Sequence, residues 1–275
     1  MTPDFAVKYG PWAMVVGASD GCGALFAEEL GRNGINVVLV SRRQQLLDEV
    51  ASGIGARTGA QTRTLALDLT ASRASAAIID ATVDLEIGML VYCAGGDANY
   101  KPFLKSPLAH AEGLLTRNCL VMMQLCHHYA MQMVERGRGG IVNFSSGAAL
   151  AGGPNMVVYG GTKAFDTVFT EGLWTEIHGK GVDVLGLVLG KTDTPALRLL
   201  EHSRGTIESM DEVPSGAVPA QLVIDEAFAN LTNGPTLMVG DEMRMAADVF
   251  KSMSRNDASR LVMEASAQAM GPERS

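Results

Sequence analysis

The segment VVGASDGCG, residues 15–23, decides how this chain folds. An apolar run ends at Gly17, and the spacing G-x-x-x-G-x-G places the next two glycines where a helix begins. Such glycines let the backbone come close to a pyrophosphate, whose charge the free N–H groups and the helix dipole stabilise. Glycine triplets also occur in ordinary turns, but the strand-then-helix context favours a phosphate-binding turn. We expect the contacts from Gly17, Ser19, Gly21, Cys22 and Gly23.

Short apolar runs recur along the rest of the chain and alternate with segments of helical pattern. The seven runs are WAMVVG, INVVLV, TRTLAL, GMLVYCAG, GGIVNFSS, GVDVLGLVLG and PTLMVG. Their apolar character is nearly continuous, as in parallel strands that are covered on both faces. Strands joined by helical crossovers predict an α/β fold, a single doubly wound Rossmann domain with a seven-stranded parallel sheet and helices on both faces.

The remaining segments complete the predicted organisation. Helices are predicted over residues 21–33, 44–56, 71–82, 107–136, 157–180 and 219–233. One domain is predicted over residues 1–275, because open α/β sheets of this length often share one core. Residues 196–215 begin as an amphipathic helix and then fill with Gly, Ser, Asp and Pro, which predicts a mobile flap over the substrate. Residues 241–275 predict a C-terminal extension of one or two helices.

Composition argues against several classes of function. The formal net charge is −8 and the longest basic run is the pair Arg42 and Arg43, so a nucleic acid is not an expected partner. No 18-residue apolar run or leader-like N-terminus is present, so we expect no membrane span and a cytoplasmic location. His127 and His128 point in different directions on a helix, and no third ligand is spaced to join them, so no metal site is predicted.

The end of the second predicted strand, VVLVSRRQQ, indicates which dinucleotide would fit. Dinucleotide sites usually place an acidic residue here for the ribose hydroxyls, but this chain has Ser41, Arg42 and Arg43. Without a carboxylate to repel a 2′-phosphate, and with guanidinium groups to clasp it, NADP(H) is preferred over NAD(H). The alternative is a pair of arginines that simply starts a solvated helix. Asp68, followed by Leu69, would accept a hydrogen bond from the adenine amino group or cap the next helix.

A serine, a tyrosine and a lysine stand out in SSGAALAGGPNMVVYGGTKAF, residues 145–165. Ser146 ends the fifth strand at the carboxyl edge of the sheet, where ligands bind in open α/β folds and its hydroxyl can bond a substrate carbonyl. Tyr159 and Lys163 are four residues apart on a predicted helix and face the same way. At about 4 Å and an effective dielectric constant near 20, the ammonium favours the phenolate by about 4 kcal/mol, which suits a general acid or base. The alternative is a packing tyrosine and a turn-capping serine.

With these residues the sequence resembles the short-chain dehydrogenase/reductase family over essentially its whole length. The matching positions are Gly17, Gly21 and Gly23; Asp68; YCAGG at 92–96; Asn118; Ser146, Tyr159 and Lys163; and GKTDTP at 190–195. The resemblance implies that Tyr159 exchanges a proton, that Ser146 orients the carbonyl, and that Lys163 also grips the nicotinamide ribose. It also implies that Asn118 holds a water next to the lysine and that Thr194 bonds the nicotinamide carboxamide. The further positions expected in the cofactor site are Ala94, Gly95 and Thr192.

Some positions depart from the family pattern. Tyr92 and Cys93 replace two asparagines, Leu189 replaces a proline, and Val16 replaces a threonine. These departures affect cofactor positioning and leave the reactive groups in place. More narrowly, the segments KYGPWAMVVGASDG, GINVVLVSRR, CHHYAMQM and LGKTDTPAL are similar to the bacterial NADP-dependent hydroxysteroid dehydrogenases of the 7β type.

The sequence therefore predicts an NADP(H)-dependent oxidoreductase that interconverts a secondary alcohol and a ketone, on a bulky lipophilic substrate such as a hydroxysteroid. Met156, Val157, Leu197, Leu200 and Met210 would suit such a substrate, and ordinary packing explains them equally well.

Two other functions stay open. A 3-oxoacyl-thioester reductase would use a basic rim made by Lys101, Lys105, Arg198 and Arg204. A non-catalytic NADP-binding sensor would keep the fold without needing an activated phenol. In either case, the long apolar helices at 107–136 and 157–180 predict a homodimer or homotetramer.

Overall fold

Seven strands form one parallel sheet in the computed structural model, which describes residues 3–97 and 99–270. Together with two short strands outside this sheet, β7 and β8, the strands are β1 Trp12–Val16, β2 Asn36–Ser41, β3 Thr62–Ala66, β4 Ile87–Tyr92, β5 Gly139–Ser146, β6 Val182–Leu189, β7 Thr192–Asp193, β8 Val218–Pro219 and β9 Thr236–Met238. The α-helices are α1 Pro3–Tyr9, α2 Gly21–Arg32, α3 Gln44–Thr58, α4 Ala74–Asp80, α5 Leu108–Leu115, α6 Met122–Arg136, α7 Val157–Ile177, α8 Pro195–Ser203, α9 Ala220–Ala229, α10 Asp241–Lys251 and α11 Arg255–Met270.

The strand order of the sheet is β3-β2-β1-β4-β5-β6-β9, and every neighbouring pair is parallel. The structure thus confirms the predicted α/β fold and all seven predicted strands. β7 and β8 form a separate two-stranded sheet outside it. The strand order reverses between β1 and β4, and the crevice beyond the carboxyl ends of those strands is where ligands bind in open α/β sheets.

Burial on both faces explains why the strands lack polar alternation. All six residues of β4 are buried, and residues 13–16 of β1 have no exposed surface. One core cluster joins the sheet to Phe26 of α2 and Ile224 of α9, and the other joins it to Ile78 of α4 and Leu125 of α6. Strands covered on both faces require continuous apolar sequence, so the pattern that predicted the strands also specifies the layers.

All six predicted helices are present, with ends that differ by up to four residues; one of them is interrupted, and α1 was not predicted. The segment predicted as a single helix over 107–136 is α5, then a π turn at Thr116–Val121, then α6. A π turn inserts an extra residue into the helical repeat and commonly occurs at functional sites. The consequence here is that Asn118, in the middle of that turn, is almost completely buried.

The two segments beyond the sheet have different structures. Residues 196–215 lie in α8 and in a series of turns that follow it, and their mobility stays a prediction. The C-terminal extension is two helices, α10 and α11, and residues 271–275 lie outside the described residues. The extension packs on the loop after β5, where Arg255 Nη1 donates to the carbonyl of Leu150 at 2.9 Å. Within the described ranges, no helix is both long and apolar enough to cross a membrane.

We expect Phe26→Ala to lower the free energy of unfolding by about 3–5 kcal/mol, because the ring is fully buried and its removal leaves a cavity against the sheet. Urea denaturation followed by circular dichroism measures this loss. Phe103→Ala is the control: that ring is 41% exposed, and we expect a loss below about 1 kcal/mol. Equal losses in the two variants would contradict the assignment of the core.

Candidate active site

The glycine-rich turn after β1 lies at the crevice between β1 and β4. Gly17 has a φ of +94°, and a Cβ there would lie 2.7 Å from the backbone nitrogen of Ala94. A Cβ on Gly23 would lie 2.1 Å from the carbonyl oxygen of Gly17, because the first turn of α2 packs directly on the loop. Neither position has room for a larger residue. The N–H groups of Gly17 and Ala18 both donate to the carbonyl of Val40, which ties the turn to β2.

The amino end of α2 keeps its backbone donors free of a side-chain cap. Asp20 holds the N-cap position, but its side chain makes no capping hydrogen bond to the helix. Its carboxylate instead accepts a hydrogen bond from Arg43 at 2.5 Å, and the same guanidinium nitrogen donates to Ser19 Oγ at 2.7 Å. Backbone N–H groups at a helix amino end beside a close-packed glycine turn fit a pyrophosphate.

The two arginines after β2 have different environments. Arg43 is held by Asp20 and Ser19, and its backbone N–H donates to Ser41 Oγ at 3.3 Å. Arg42 is exposed and has no hydrogen-bond or ion-pair partner among the described residues. Of the predicted pair, Arg42 is therefore the one whose guanidinium is available to a 2′-phosphate, while Arg43 shapes the glycine turn.

Asp68 closes a turn after β3. Its Oδ1 accepts from both the N–H and the hydroxyl of Thr70 at 2.9 Å, and these bonds lower the pKa of the carboxyl. The predicted alternative, a cap on the next helix, is wrong, because Arg73 holds the N-cap position of α4. The carboxylate is exposed, and Leu69 beside it is buried. The role toward adenine stays a prediction.

Asn118 joins three segments beneath the crevice. Its Nδ2 donates to the carbonyl of Gly95 at 3.1 Å and to Thr162 Oγ1 at 2.9 Å. A Cβ on Gly95 would lie 2.9 Å from Lys163 Nζ and 3.2 Å from Asn118 Oδ1, so the loop after β4 passes directly over the asparagine and the lysine. The π turn produces this arrangement because it directs residue 118 toward α7.

Ser146 and Tyr159 lie on adjacent segments at the same edge of the sheet. Ser146 ends β5, and its Oγ accepts from the N–H of Ala148 at 3.2 Å, so it caps the short 3-10 turn Gly147–Ala149. A Cβ on Gly160 would lie 3.0 Å from the carbonyl oxygen of Ala148, which brings α7 close to that turn. Tyr159 is half-buried, and its hydroxyl makes no hydrogen bond within residues 3–97 and 99–270.

Lys163 is buried under the tyrosine, with its Nζ 5.9 Å from the centre of the Tyr159 ring. The ammonium donates to the carbonyl of Phe144 at 2.8 Å and to Asp166 Oδ2 at 3.0 Å. Burial raises the pKa of Asp166, and the ion pair with Lys163 opposes this effect. Tyr159 and Lys163 lie on one face of α7, and Asp166, which the prediction did not include, pairs with the lysine. The predicted contact of the ammonium with the phenolic oxygen stays a prediction.

Of the two predicted threonines, Thr194 lies beside the glycine turn, and Thr192 lies two residues earlier, on β7. A Cβ on Gly21 would lie 3.0 Å from Thr194 Cγ2, so α2 and the start of α8 are in close contact. Thr194 Oγ1 accepts from the N–H of Leu197 at 3.2 Å and thereby caps α8. Thr192 is buried, and its hydroxyl donates to Gly190. Their contacts with a nicotinamide stay a prediction.

Sequence reasoning missed three functional candidates besides Asp166. The hydroxyl of Tyr92 donates to the carbonyl of Arg117 at 2.5 Å, and Arg117 Nη2 donates to the carbonyl of Gly96 at 2.8 Å. Thr162 accepts from Asn118. Two of these residues could have been found from the sequence. Tyr92 departs from the family pattern, and Asp166 stands seven residues after Tyr159, which puts both on one face of a helix.

The cysteines near the crevice are thiols at neutral pH. Burial raises the pKa of Cys22 to about 12 and holds that of Cys93 well above its usual range. In the part of the chain that the structure describes, no group of three or more His, Cys, Asp and Glu side chains is placed to hold a metal ion.

Comparisons with known proteins agree with this geometry. The family model described as short chain dehydrogenase matches residues 11–205, a range that includes the glycine turn, β5 and α7. A 7β-hydroxysteroid dehydrogenase of Clostridium sardiniense is 32% identical over 256 residues, which cover 92% of this chain and 95% of the relative.

Solved structures give the same result for the fold. A structure from work on 7β-hydroxysteroid dehydrogenase stereoselectivity has a TM-score of 0.86 at 27% identity and covers 94% of this chain and 98% of that chain. A short-chain dehydrogenase from Sphingobium yanoikuyae in complex with NADPH has a TM-score of 0.75 at 27% identity, covering 89% of this chain and 96% of that one.

We expect Gly17→Ala to lower the free energy of unfolding by about 1–3 kcal/mol, because its φ of +94° is strained for alanine and the added Cβ meets Ala94. Binding of NADPH, measured by fluorescence titration, weakens in the same variant. Gly179→Ala is the matched control, because a Cβ at that position would have nothing within 4 Å. Retention of both stability and NADPH binding in Gly17→Ala would refute the proposed turn geometry.

Proposed function

The chain belongs to the short-chain dehydrogenase family, and from that premise we propose that it interconverts a secondary alcohol and a ketone with NADP(H). The single observation that carries the proposal is the cluster of Asn118, Ser146, Tyr159 and Lys163 at the carboxyl edge of the sheet, next to the glycine turn. A general acid, a hydrogen-bond donor for a carbonyl oxygen and a buried cation are the groups that this reaction requires.

Each residue has a distinct role in ketone reduction. Tyr159 donates the proton to the carbonyl oxygen, and its free hydroxyl suits that role. Ser146 donates a hydrogen bond to the same oxygen and lies one short turn from the tyrosine helix. Lys163 stabilises the phenolate that remains. Asn118 holds the loop at Gly95 and the helix at Thr162 in register, which keeps the lysine under the phenol.

The cofactor residues follow from the same geometry. The glycine turn and the amino end of α2 would hold the pyrophosphate, and Arg42 the 2′-phosphate. Thr192 and Thr194 would contact the nicotinamide, and Lys163 its ribose. When bound, NADPH supplies the hydride that reduces the carbonyl carbon. A neighbouring solved structure in complex with NADPH supports this choice.

A bulky lipophilic substrate such as a hydroxysteroid is the proposed substrate class. The similarity to a 7β-hydroxysteroid dehydrogenase over 92% of the chain supports this class. Leu197 and Leu200 on α8 and Met156 before α7 are partly exposed apolar side chains near the predicted cleft.

The acyl-thioester alternative depends on a basic rim that the structure partly neutralises. Arg198 forms a two-pronged ion pair with Asp193 at 2.6 and 2.8 Å, which lowers the pKa of that carboxyl. The guanidinium of Arg204 stacks 4.8 Å from the centre of the Tyr100 ring. Lys101 and Lys105 are the exposed members of the predicted rim. The pairing of Arg198 removes one of the four cations from the predicted rim, which weakens the case for an acyl-CoA or acyl-carrier ligand.

A homodimer or homotetramer through α5–α6 and α7 is proposed from their exposed apolar side chains. Exposed apolar side chains on these helices and the π turn are Leu108, Leu115, Leu120, Met123, Met131, Val157, Phe165 and Val168. Apolar surface concentrated on neighbouring helices is typical of symmetric interfaces.

Tyr159→Phe tests the assigned acid. Turnover of a steroid ketone with NADPH, followed by absorbance, is expected to fall by about 100-fold or more, because general acid catalysis contributes that much. NADPH affinity and the unfolding midpoint are expected to stay near wild type. Tyr129→Phe is the control, because that hydroxyl is buried and bonds Thr82, which follows α4.

A panel of substrates tests the substrate class. It compares the steroid ketone with an aryl ketone and a 3-oxoacyl-CoA, and a preference for the thioester would overturn the assignment of a lipophilic substrate.

Arg42→Ala tests the cofactor preference. Loss of the available guanidinium is expected to weaken NADPH binding by at least about tenfold and NADH binding by less than about twofold, since one charge-assisted bond contributes about 1.5–3 kcal/mol. Arg43→Ala is the matched control. Its guanidinium supports Asp20 and Ser19, so both cofactors are expected to lose affinity alike. Equal losses of NADPH and NADH binding in Arg42→Ala would contradict the proposed contact between Arg42 and the 2′-phosphate.

A further inference from the structure

An ion pair lies beneath the catalytic tyrosine, and the proposed mechanism uses only half of it. Lys163 and Asp166 are 4% exposed each, and their charged atoms are 3.0 Å apart. The second carboxylate oxygen, Asp166 Oδ1, is buried and has no hydrogen-bond partner among the described residues. A buried carboxylate with one unsatisfied oxygen costs stability unless its charge has a counter-ion. Lys163 is that counter-ion, so the two buried charges depend on each other for their place in the interior.

The three side chains occupy one face of α7. Tyr159, Lys163 and Asp166 stand at positions i, i+4 and i+7, which are consecutive turns of one helical face. Seven residues correspond to about 10.5 Å along the helix axis. The lysine lies between the other two, so the phenol experiences a positive charge nearby and a negative charge behind it. The carboxylate offsets part of the field that the ammonium exerts on Tyr159.

Other groups that face the pair do not replace this negative charge. They are Tyr92 on β4, Cys93 after it, Arg117 and Cys119 in the π turn, and Cys126 on α6. Burial raises the pKa of Cys126 to about 12, that of Cys119 to about 11, and that of Tyr92 well above its usual range, so all three are neutral near pH 7. Arg117 donates to Asn118 Oδ1 and to Gly96, away from Asp166.

We propose that Asp166 is a positioning residue that acts through Lys163. It holds the ammonium in the interior, against the carbonyl of Phe144, and it offsets part of the charge that the ammonium presents to Tyr159. The proposal rests on the proposed function, because it concerns the same phenol. The consequence is that Tyr159 loses its proton at a higher pH than it would with a neutral residue at position 166. Alcohol oxidation needs the phenolate, so its rate reaches its maximum at a correspondingly higher pH.

Asp166→Asn in the full chain is the test. The asparagine keeps the shape of the side chain and one acceptor for Lys163, but it removes the negative charge. Tyrosinate absorbance is titrated with and without NADP+, and the same titration of a matched Tyr159→Phe protein is subtracted to isolate Tyr159. We expect the ionisation midpoint of Tyr159 to fall by about one pH unit, since charges about 10 Å apart at an effective dielectric near 20 interact that strongly.

Three further variants make the result decisive. Asp166→Glu keeps the charge and is expected to restore the wild-type midpoint. Asp166→Ser is smaller and neutral, gives the same fall as asparagine, and replaces it if the asparagine variant does not fold. Glu28→Gln is the control: it removes a largely buried carboxylate on α2 that pairs with Arg32 and with Arg57 of α3, and it is expected to leave the midpoint unchanged. Each is measured against its own Tyr159→Phe partner.

An unchanged or raised midpoint in Asp166→Asn, or an equal fall in Glu28→Gln, would overturn the proposal. The titration needs no substrate, so its outcome is separate from that of the ketone panel. Absence of turnover on every ketone counts against the proposed function. Turnover combined with an unmoved titration counts against Asp166 alone. Alcohol oxidation gives a second readout. In a plot of kcat against pH, the acidic limb is expected to move to lower pH in Asp166→Asn, again by about one unit.

Discussion

The burial of one ammonium group is the constraint on which the active-site end of this molecule depends. A cation removed from water costs several kcal/mol unless nearby groups accept its hydrogen bonds and offset its charge. The carbonyl of Phe144 at the end of β5 and the carboxylate of Asp166 on α7 meet that requirement for Lys163. The strand and the helix are therefore held together at the point where Ser146 and Tyr159 project from them.

Close backbone approach provides the second half of the arrangement. The π turn brings Asn118 under the loop after β4, and Gly95 leaves room for that loop to pass over both Asn118 and Lys163. On the other side of the crevice, Gly17 and Gly23 let β1, α2 and the loop after β4 meet at backbone distance. Side chains with a Cβ would separate these segments. The glycines are therefore needed for the segments that carry the buried polar groups to come together.

Charge is distributed unevenly around the crevice, and the distribution supports the proposed chemistry. Arg43 is neutralised by Asp20 and Arg198 by Asp193, whereas Arg42 has no such partner among the described residues. The unpaired Arg42 suits a phosphate on the cofactor, and the pairing of Arg198 with Asp193 removes one cation from the predicted rim. The C-terminal helices pack on the loop that follows Ser146, where a Cβ on Gly153 would lie 2.5 Å from Val262. The extension therefore supports the same end of the sheet.

The sequence by itself determined the layers, the number of strands in the main sheet, the glycine turn and the placement of Tyr159 and Lys163 on one face of α7. These features follow from local periodicity: continuous apolar runs specify buried parallel strands, and a four-residue spacing puts two side chains on one face of a helix. Only the tertiary structure decided that Asp20 holds Arg43, that a π turn interrupts the helix at Asn118, and that Asp166 faces Lys163 in the interior. Asp20 and Arg43 are 23 residues apart, so only packing between α2 and the end of β2 could pair them. Helical spacing put Asp166 on the same face as Lys163, but only the packing of α7 on β5 showed that this face is buried.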